Sequence, residues 1–511
     1  MRLRFSALIF AFLLMVLPTS AAAPDPTVLS LSGRIRGIPL EQGGAAFKGI
    51  PYAEALRWQP PAPIKAWAGE RDATKFGSPC AQNANGKMLE GSSEDCLFLN
   101  IWTPEWPSRS RKPVMVWLHG GGNYAGTASG NNFDGEKLAR RGVVLVTVNY
   151  RLTIFGFLAH PELTKESPHH ASGNYGLMDQ IAALQWVHDN IARFGGDPAK
   201  VTVFGQSAGA VDANVLMASP LTKGLIHRVI AESGTVTRNP DAATLSMTAL
   251  GAVMKVKDGP VSYSDAPLLA EAESKGAMFG ALKDLRALST ADLLTAVAKP
   301  QMSVGPANGI VVDGWVLPKA PAQVFAAGQE LRVPLLIGNN SRERTPPSMP
   351  PGELAGAIEA MYGNLAPKAL ELYGDRATDW VVDTMYRCPV VAQLIWHAAN
   401  APSFEYEFDH AAPGREALGA VHGTEVAYVF GALNAKYADV DRQISDAMQQ
   451  YWTNFAKTGD PNGASLRPWP KFDSMARGYI AFSGAGPLAG EGLRRKFCDL
   501  YVENVKRLSS R

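Results

Sequence analysis

Residues 201–209 restrict this 511-residue chain more than any other stretch. Val201-Thr202-Val203-Phe204 reads as a buried strand, Gly205-Gln206-Ser207-Ala208-Gly209 follows at once, and the small, apolar residues after it read as a helix start. A serine between two such glycines, in a strand–turn–helix context, is a nucleophile elbow. The turn is so sharp that the serine needs strained dihedrals. Only hydrogen side chains at Gly205 and Gly209 let the flanking backbones come that close. The hydroxyl of Ser207 then stands at the head of a helix and points into a cleft. Gly-x-Ser-x-Gly alone is common in glycine-rich turns; the strand and helix around it single this one out.

Other buried strands set the fold class. Val114 to Leu118 is unbroken and apolar and ends at His119-Gly120-Gly121-Gly122; Val143 to Val148 ends at Asn149-Tyr150-Arg151; Val333 to Gly338 is a third. Continuous apolar runs, rather than alternating ones, mark central strands covered on both faces. Between them lie helical patterns such as Asp179 to Phe194, with Ile181, Leu184, Trp186, Val187 and Ile191 on one side. This alternation predicts a doubly wound, mostly parallel α/β sheet. Short strands and glycine turns over residues 28–60 predict a small N-terminal edge sheet. The length would allow two or three domains. A single serine site with buried strands spread along the chain instead predicts one large domain over residues 23–511, with long insertions.

The stretch from Phe194-Gly195-Gly196 to Gly209, and a second from Glu94-Asp95-Cys96-Leu97 to Trp102-Thr103-Pro104, resemble the two signatures of the type-B carboxylesterases, the family of cholinesterases and bacterial p-nitrobenzyl esterases. The resemblance runs from Gly49-Ile50-Pro51-Tyr52-Ala53 to Asp460-Pro461-Asn462-Gly463. It implies the α/β-hydrolase fold and hydrolysis of small-molecule carboxylic esters through an acyl-enzyme, with no metal or organic cofactor. It also implies that the N–H groups of Gly121, Gly122 and Ala208 form the oxyanion hole, where loss of one donor typically costs about 3 kcal/mol of barrier.

In this fold the acid and base follow the serine in the order Ser, Asp/Glu, His. Glu343 lies five residues past Gly338, in the loop after a core strand where the family keeps its acid. The chain departs from the family just beyond, with Arg344 and Pro346-Pro347-Ser348-Met349-Pro350-Pro351 where a small residue is usual. A surface arginine–glutamate pair is the alternative role for Glu343, and Asp313 the alternative acid. Of nine histidines, six precede Glu343. His397 lies on an apolar helical stretch, His410 ends a strand beside Asp409, and His422 stands in Val421-His422-Gly423-Thr424-Glu425, matching the family's His-Gly-x-Glu loop. His422 is therefore the expected base. Asp441 to Gly459, with Ile444, Met448, Tyr451 and Phe455 at helical spacing, reads as an amphipathic core helix. His169-His170 has no third ligand at metal spacing and reads as a solvated loop. Residues 235–330 carry helical patterns without readable chemistry.

Residues 1–22 read as a secretory signal peptide: Arg2 and Arg4, an apolar run from Phe5 to Leu17, then Pro18-Thr19-Ser20-Ala21-Ala22. The apolar run is too short to span a membrane. Cleavage after Ala22 leaves 47 basic against 47 acidic side chains, which gives no electrostatic case for a nucleic acid or an anionic membrane as partner. The protein is expected to be secreted or periplasmic. All four cysteines lie in the exported part, where an even count favours two disulfides. The resemblance implies Cys80–Cys96 and Cys388–Cys498, and the first closes a short loop worth roughly 3 kcal/mol by chain entropy. Cholinesterases carry a key tryptophan inside the first disulfide loop, whereas Ala81 to Asp95 holds no aromatic residue, and neutral Gln206 stands where glutamate is common. Both changes remove attraction for a quaternary ammonium. Two other functions stay open: hydrolysis of amides, thioesters or polymeric esters by the same residues, and a non-catalytic adhesion role of the kind some relatives of this fold have taken.

Overall fold

The computed structural model describes residues 25–130, 133–237, 268–297, 309–343 and 351–509. Among them eleven strands make one large sheet: β1 (Ile38–Pro39), β2 (Ala45–Pro51), β3 (Phe98–Thr103), β4 (Lys112–Leu118), β5 (Val144–Val148), β6 (Gly196–Gln206), β7 (Arg228–Glu232), β8 (Leu335–Asn340), β9 (Ser403–Asp409), β10 (Gly478–Ser483) and β11 (Gly486–Glu491). Their order across the sheet is β11-β10-β9-β8-β7-β6-β4-β5-β3-β2-β1. From β5 through β4, β6, β7, β8 and β9 to β10 every pairing is parallel, and the strands at both ends are antiparallel. This is the mostly parallel α/β-hydrolase sheet.

The unbroken apolar runs follow from burial on both faces. Val114, Val116, Leu118, Val201, Val203, Leu335 and Ile337 pack into one core, while their neighbours Met115, Trp117, Phe204 and Leu336 pack into the other. Helices α1 (Tyr175–Asn190) and α2 (Ala208–Ala218) cover the first face. The second is covered by α5 (Asp439–Thr458), which places Ile444, Met448, Tyr451, Trp452 and Phe455 against the sheet. Gly459 ends α5 in the left-handed conformation, and its N–H donates to the Phe455 carbonyl at 2.7 Å. Between α2 and α5 in sequence lie α3 (Cys388–His397) and α4 (Thr424–Val429); α6 (Arg495–Ser509) follows them all.

Two expectations change in detail. The helix read from Asp179 starts at Tyr175, and its last turn, Ile191–Phe194, is the tighter 3₁₀ form. Residues 28–60 do not form one edge sheet. Thr27–Leu29 and Arg34–Arg36 join Glu70–Asp72 in a separate three-stranded sheet, whereas β1 and β2 extend the large one. Strands of two or three residues show too little alternation for sequence to say which sheet takes them.

Cys80 is bonded to Cys96, and Cys388, at the start of α3, is bonded to Cys498 on α6. Within residues 268–297 and 309–326 lie short helices, including Leu282–Ala287 and Thr290–Val297, whose Leu282, Leu285, Leu293 and Leu294 join the first core. No helix of the described residues is long and apolar enough to cross a membrane. The leader read at residues 1–22, and Arg344 with the prolines up to Pro350, lie outside the described residues.

Candidate active site

Strand β6 ends at Gln206 and α2 begins at Ala208, so Ser207 alone makes the turn between them. Its φ of 55° and ψ of −120° are strained for a residue with a side chain. The strain is held from two sides. The Ser207 N–H donates to the Glu232 carbonyl on β7 at 2.8 Å, and its own carbonyl accepts from Ala210 and Val211 at 3.0 Å. A Cβ on Gly205 would lie 2.5 Å from the Gly209 carbonyl, and one on Gly209 would collide with the Leu118 carbonyl. Gln206 and Ala208 are buried, but Ser207 between them reaches solvent. The sequence therefore buries everything around the hydroxyl and leaves the hydroxyl itself accessible.

Strand β4 delivers the glycine loop to the same place. Beyond Leu118, the His119 carbonyl accepts the Tyr150 hydroxyl at 2.6 Å and the two rings stack. The buried His119 imidazole is pushed down to about 4 by desolvation, so it is neutral near pH 7. Its Nδ1 donates to the Gly120 carbonyl at 2.9 Å. A Cβ on Gly120 would lie 3.1 Å from the Cβ of Ser207, which places the loop backbone directly against the elbow. Gly121 has a φ of 114°, which an L-side chain rarely adopts, and a Cβ there would run into the Ala125 carbonyl. Among the described residues, no hydrogen bond is made by the amide N–H of Gly121, Gly122 or Ala208.

The acid and base come from the ends of β8 and β9 and the loops after them. Glu343 is 1 % exposed, which excludes the surface arginine–glutamate pair. One carboxylate oxygen accepts the Asn340 N–H at 2.7 Å, and the other is bonded to Nδ1 of His422. The His422 N–H donates to the Glu343 carbonyl at 3.0 Å, closing the two loops on each other. With Nδ1 committed to the carboxylate, Nε2 faces the elbow and lies 3.3 Å from Nε2 of Gln206, the residue before Ser207. The other candidates sit elsewhere. Asp313 closes its own turn, accepting the Trp315 and Leu317 N–H groups at 3.1 and 2.9 Å. His397 is buried against Glu330 and the Val333 carbonyl, and His410 pairs with Asp441. His169 stacks on Trp315 with centroids 3.7 Å apart.

Behind His422 lies a group of acids that sequence reasoning did not single out. Glu425, three residues on and fully buried, is pushed up by desolvation and then by the charge of Glu343; it accepts from Nδ2 of Asn340. Glu232, at the end of β7, accepts from Nε1 of Trp452 at 2.7 Å and is held well above the usual carboxylate range by burial and by Glu425. Burial thus favours the protonated form of Glu232, and Glu343 is the acid in contact with the imidazole. The available signals were the position of Glu232 at a strand end and the spacing of Glu425 from His422.

The chain as a whole is similar to known esterases. The model of a family described as the carboxylesterase family matches residues 24–348 and 350–500. The chain is similar to a fumonisin B1 esterase of Sphingopyxis macrogoltabida, 34% identical over 96% of this chain and 92% of that protein. It is similar to a para-nitrobenzyl esterase of Bacillus subtilis (strain 168), 36% identical over 87% of this chain and 92% of that one. Carboxylesterase 1D of Rattus norvegicus is 32% identical over 97% and 96%. Among solved structures, a PNB esterase superposes with a TM-score of 0.75 at 33% identity, covering 93% of this chain and 100% of that one.

Proposed function

The chain belongs to the carboxylesterase family and is a carboxylic ester hydrolase, and from that premise we propose that it works through a triad of Ser207, His422 and Glu343. Nε2 of His422 takes the Ser207 proton as Oγ attacks the ester carbonyl. Glu343 holds the imidazole in the required tautomer and offsets the imidazolium charge. The tetrahedral oxyanion is received by the N–H groups of Gly121, Gly122 and Ala208. His422 returns the proton to the leaving alcohol, and water repeats the sequence on the acyl-enzyme. The observation that carries this reading is the contact of buried Glu343 with Nδ1 of His422, whose Nε2 lies 3.3 Å from the amide of Gln206 beside the serine.

Ser207→Ala tests it. The change removes one oxygen from a buried turn, so p-nitrophenyl ester hydrolysis falls by several orders of magnitude while the thermal unfolding curve is retained. Wild-type turnover in a clean preparation would overturn the assignment. Fluorophosphonate labelling of the wild type, absent in Ser207→Ala, separates an esterase from an adhesion protein on this fold. The substrates are small-molecule esters. Cationic choline esters fit poorly, given neutral Gln206 and the aromatic-free loop between Cys80 and Cys96. Residues 23–511 work as one hydrolase domain. Export past a leader at residues 1–22 fits a chain holding two disulfides.

A further inference from the structure

The glycine loop has little of its own to hold it in place. Gly120, Gly121 and Gly122 bring no side chains to pack, and two of the three have positive φ. The Gly120 carbonyl accepts from Nδ1 of His119 and the Gly121 carbonyl from the Tyr124 and Ala125 N–H groups, and the remaining anchors lie at the loop's ends. His119 is anchored by the Tyr150 hydroxyl at 2.6 Å. Asn123, directly after Gly122, is buried with a φ of 60°, and its carbonyl accepts the Thr153 N–H at 2.8 Å. Its side-chain Nδ2 donates to Oδ1 of Asp212 at 3.0 Å.

Asp212 is on α2, four residues after Ala208 and so one helical turn along the same face. Its Oδ2 accepts from Nε2 of Gln180 on α1 at 2.6 Å. The carboxyl is fully buried, both partners are neutral amides, and desolvation pushes it up to about 7. A buried acid in a helix that is apolar apart from Asp212 and Asn214 is costly for packing alone. Its contacts join three elements: the glycine loop, α2 and α1.

We infer that Asp212 is a positioning residue, which by holding Asn123 sets the spacing between the N–H groups of Gly121 and Gly122 and that of Ala208. The inference rests on the oxyanion role proposed above for those three groups. Deleting one oxyanion donor costs about 10²- to 10³-fold in kcat; donors that are kept but displaced cost less, about tenfold to a hundredfold.

The test compares Asp212→Ala, Asn123→Ala, the double variant and Asp212→Asn on p-nitrophenyl acetate. Binding of a trifluoromethyl ketone, which Ser207 would convert to an oxyanion adduct, is measured beside that of the matching methyl ketone. Asp212→Ala lowers kcat about tenfold to a hundredfold with KM held within about threefold, and weakens the trifluoromethyl ketone by the same factor as kcat. Asn123→Ala does the same, and the double variant is no worse than either, because both break one link. Asp212→Asn recovers most of the turnover. Its amide can accept from Asn123 and donate to Oε1 of Gln180, which has no partner among the described residues, once the Gln180 amide turns over. Turnover of both alanine variants within about threefold of wild type overturns the inference, as do additive losses or an Asp212→Asn variant as damaged as Asp212→Ala. Should Asp212→Ala fail to fold, Asn123→Ala decides the matter alone. Wild-type enzyme that binds the trifluoromethyl ketone no better than the methyl ketone defeats the oxyanion role, and the positioning role with it. A preference that is present in wild type and intact in Asp212→Ala defeats the positioning role only.

Discussion

Replacing Glu343 by glutamine separates catalysis from stability at this site. Glu343 accepts two hydrogen bonds: one from the Asn340 N–H at 2.7 Å and one from Nδ1 of His422. Glutamine has one oxygen to replace them. With the oxygen kept on Asn340, the NH₂ group faces Nδ1, which must then accept. The ring proton moves to Nε2, and Nε2 no longer takes a proton from Ser207. A comparable change in a serine protease costs about 10⁴-fold, or roughly 5.5 kcal/mol of barrier. Turning the amide over restores the tautomer but leaves the buried Asn340 N–H facing an NH₂ group, at about 1–3 kcal/mol. Glu343→Gln therefore lowers kcat by about 10²- to 10⁴-fold, depending on how often the amide turns over. Stability moves much less. The lost hydrogen bond is partly offset because Glu425, pushed up in part by the Glu343 charge, is relieved of it. The net change stays within about 2 kcal/mol. Release of p-nitrophenolate and thermal unfolding, measured on the same preparation, read the two effects. The control is Asp313→Asn, which alters a turn and leaves kcat within about threefold. Glu343→Gln with turnover within about tenfold of wild type, or a collapse in Asp313→Asn instead, would refute the reasoning.

Two further outcomes follow from groups away from the elbow. Glu405 is buried on β9 with neither carboxylate oxygen bonded among the described residues, and desolvation, with Glu407 next, pushes it up to about 8. The folded state thus keeps a proton that the unfolded chain releases near 4.5, so this contribution to stability is complete below that pH and is lost as pH rises through about 8. Glu405→Gln stays neutral and flattens the fall in Tm over that window; parallel profiles for the two proteins would contradict it. Replacing Cys388 and Cys498 by serine opens a link spanning 110 residues, which by chain entropy costs about 4–5 kcal/mol. Guanidinium unfolding reads the loss, and an unchanged midpoint would rule the constraint out.

How far the molecule was legible depended on whether a signal was local. The elbow was legible because strand, glycines and helix start fall within sixteen residues and each has one physical reason. The unbroken runs at Val114–Leu118 and Leu335–Ile337 were legible because alternate side chains feed two cores, so neither face needs polar residues. Glu343 was reached by chain order, not by geometry. Its partner His422 is 79 positions away, and only the fold brings the two loops together. The same distance hid Glu232, whose Trp452 partner is 220 positions away. Residues 235–330 stayed opaque because elements such as Leu282–Ala287 span less than two turns, too few for a 3.6-residue period to emerge.

One signal was present and could have been used. Along Ala208–Ala218 only Asp212 and Asn214 are polar, in a helix whose other residues are apolar on every side. A helix with no polar face has no solvent side, so a polar residue on it must find its partner inside the protein. Asp212 reaches Asn123 after the glycine loop. Asn214 donates to the Gly234 carbonyl at 3.1 Å, just past the strand end at Glu232 that accepts the Ser207 N–H, and accepts from Gln393 of α3 at 2.7 Å. Gln393 in turn accepts from Thr235 and from the Val236 N–H. Both polar residues thus reach from the elbow helix to segments that border the site. Two polar letters in an apolar helix directly after a nucleophile elbow accordingly point to the loops that the helix must hold. Packing alone would have favoured alanine or leucine at either position.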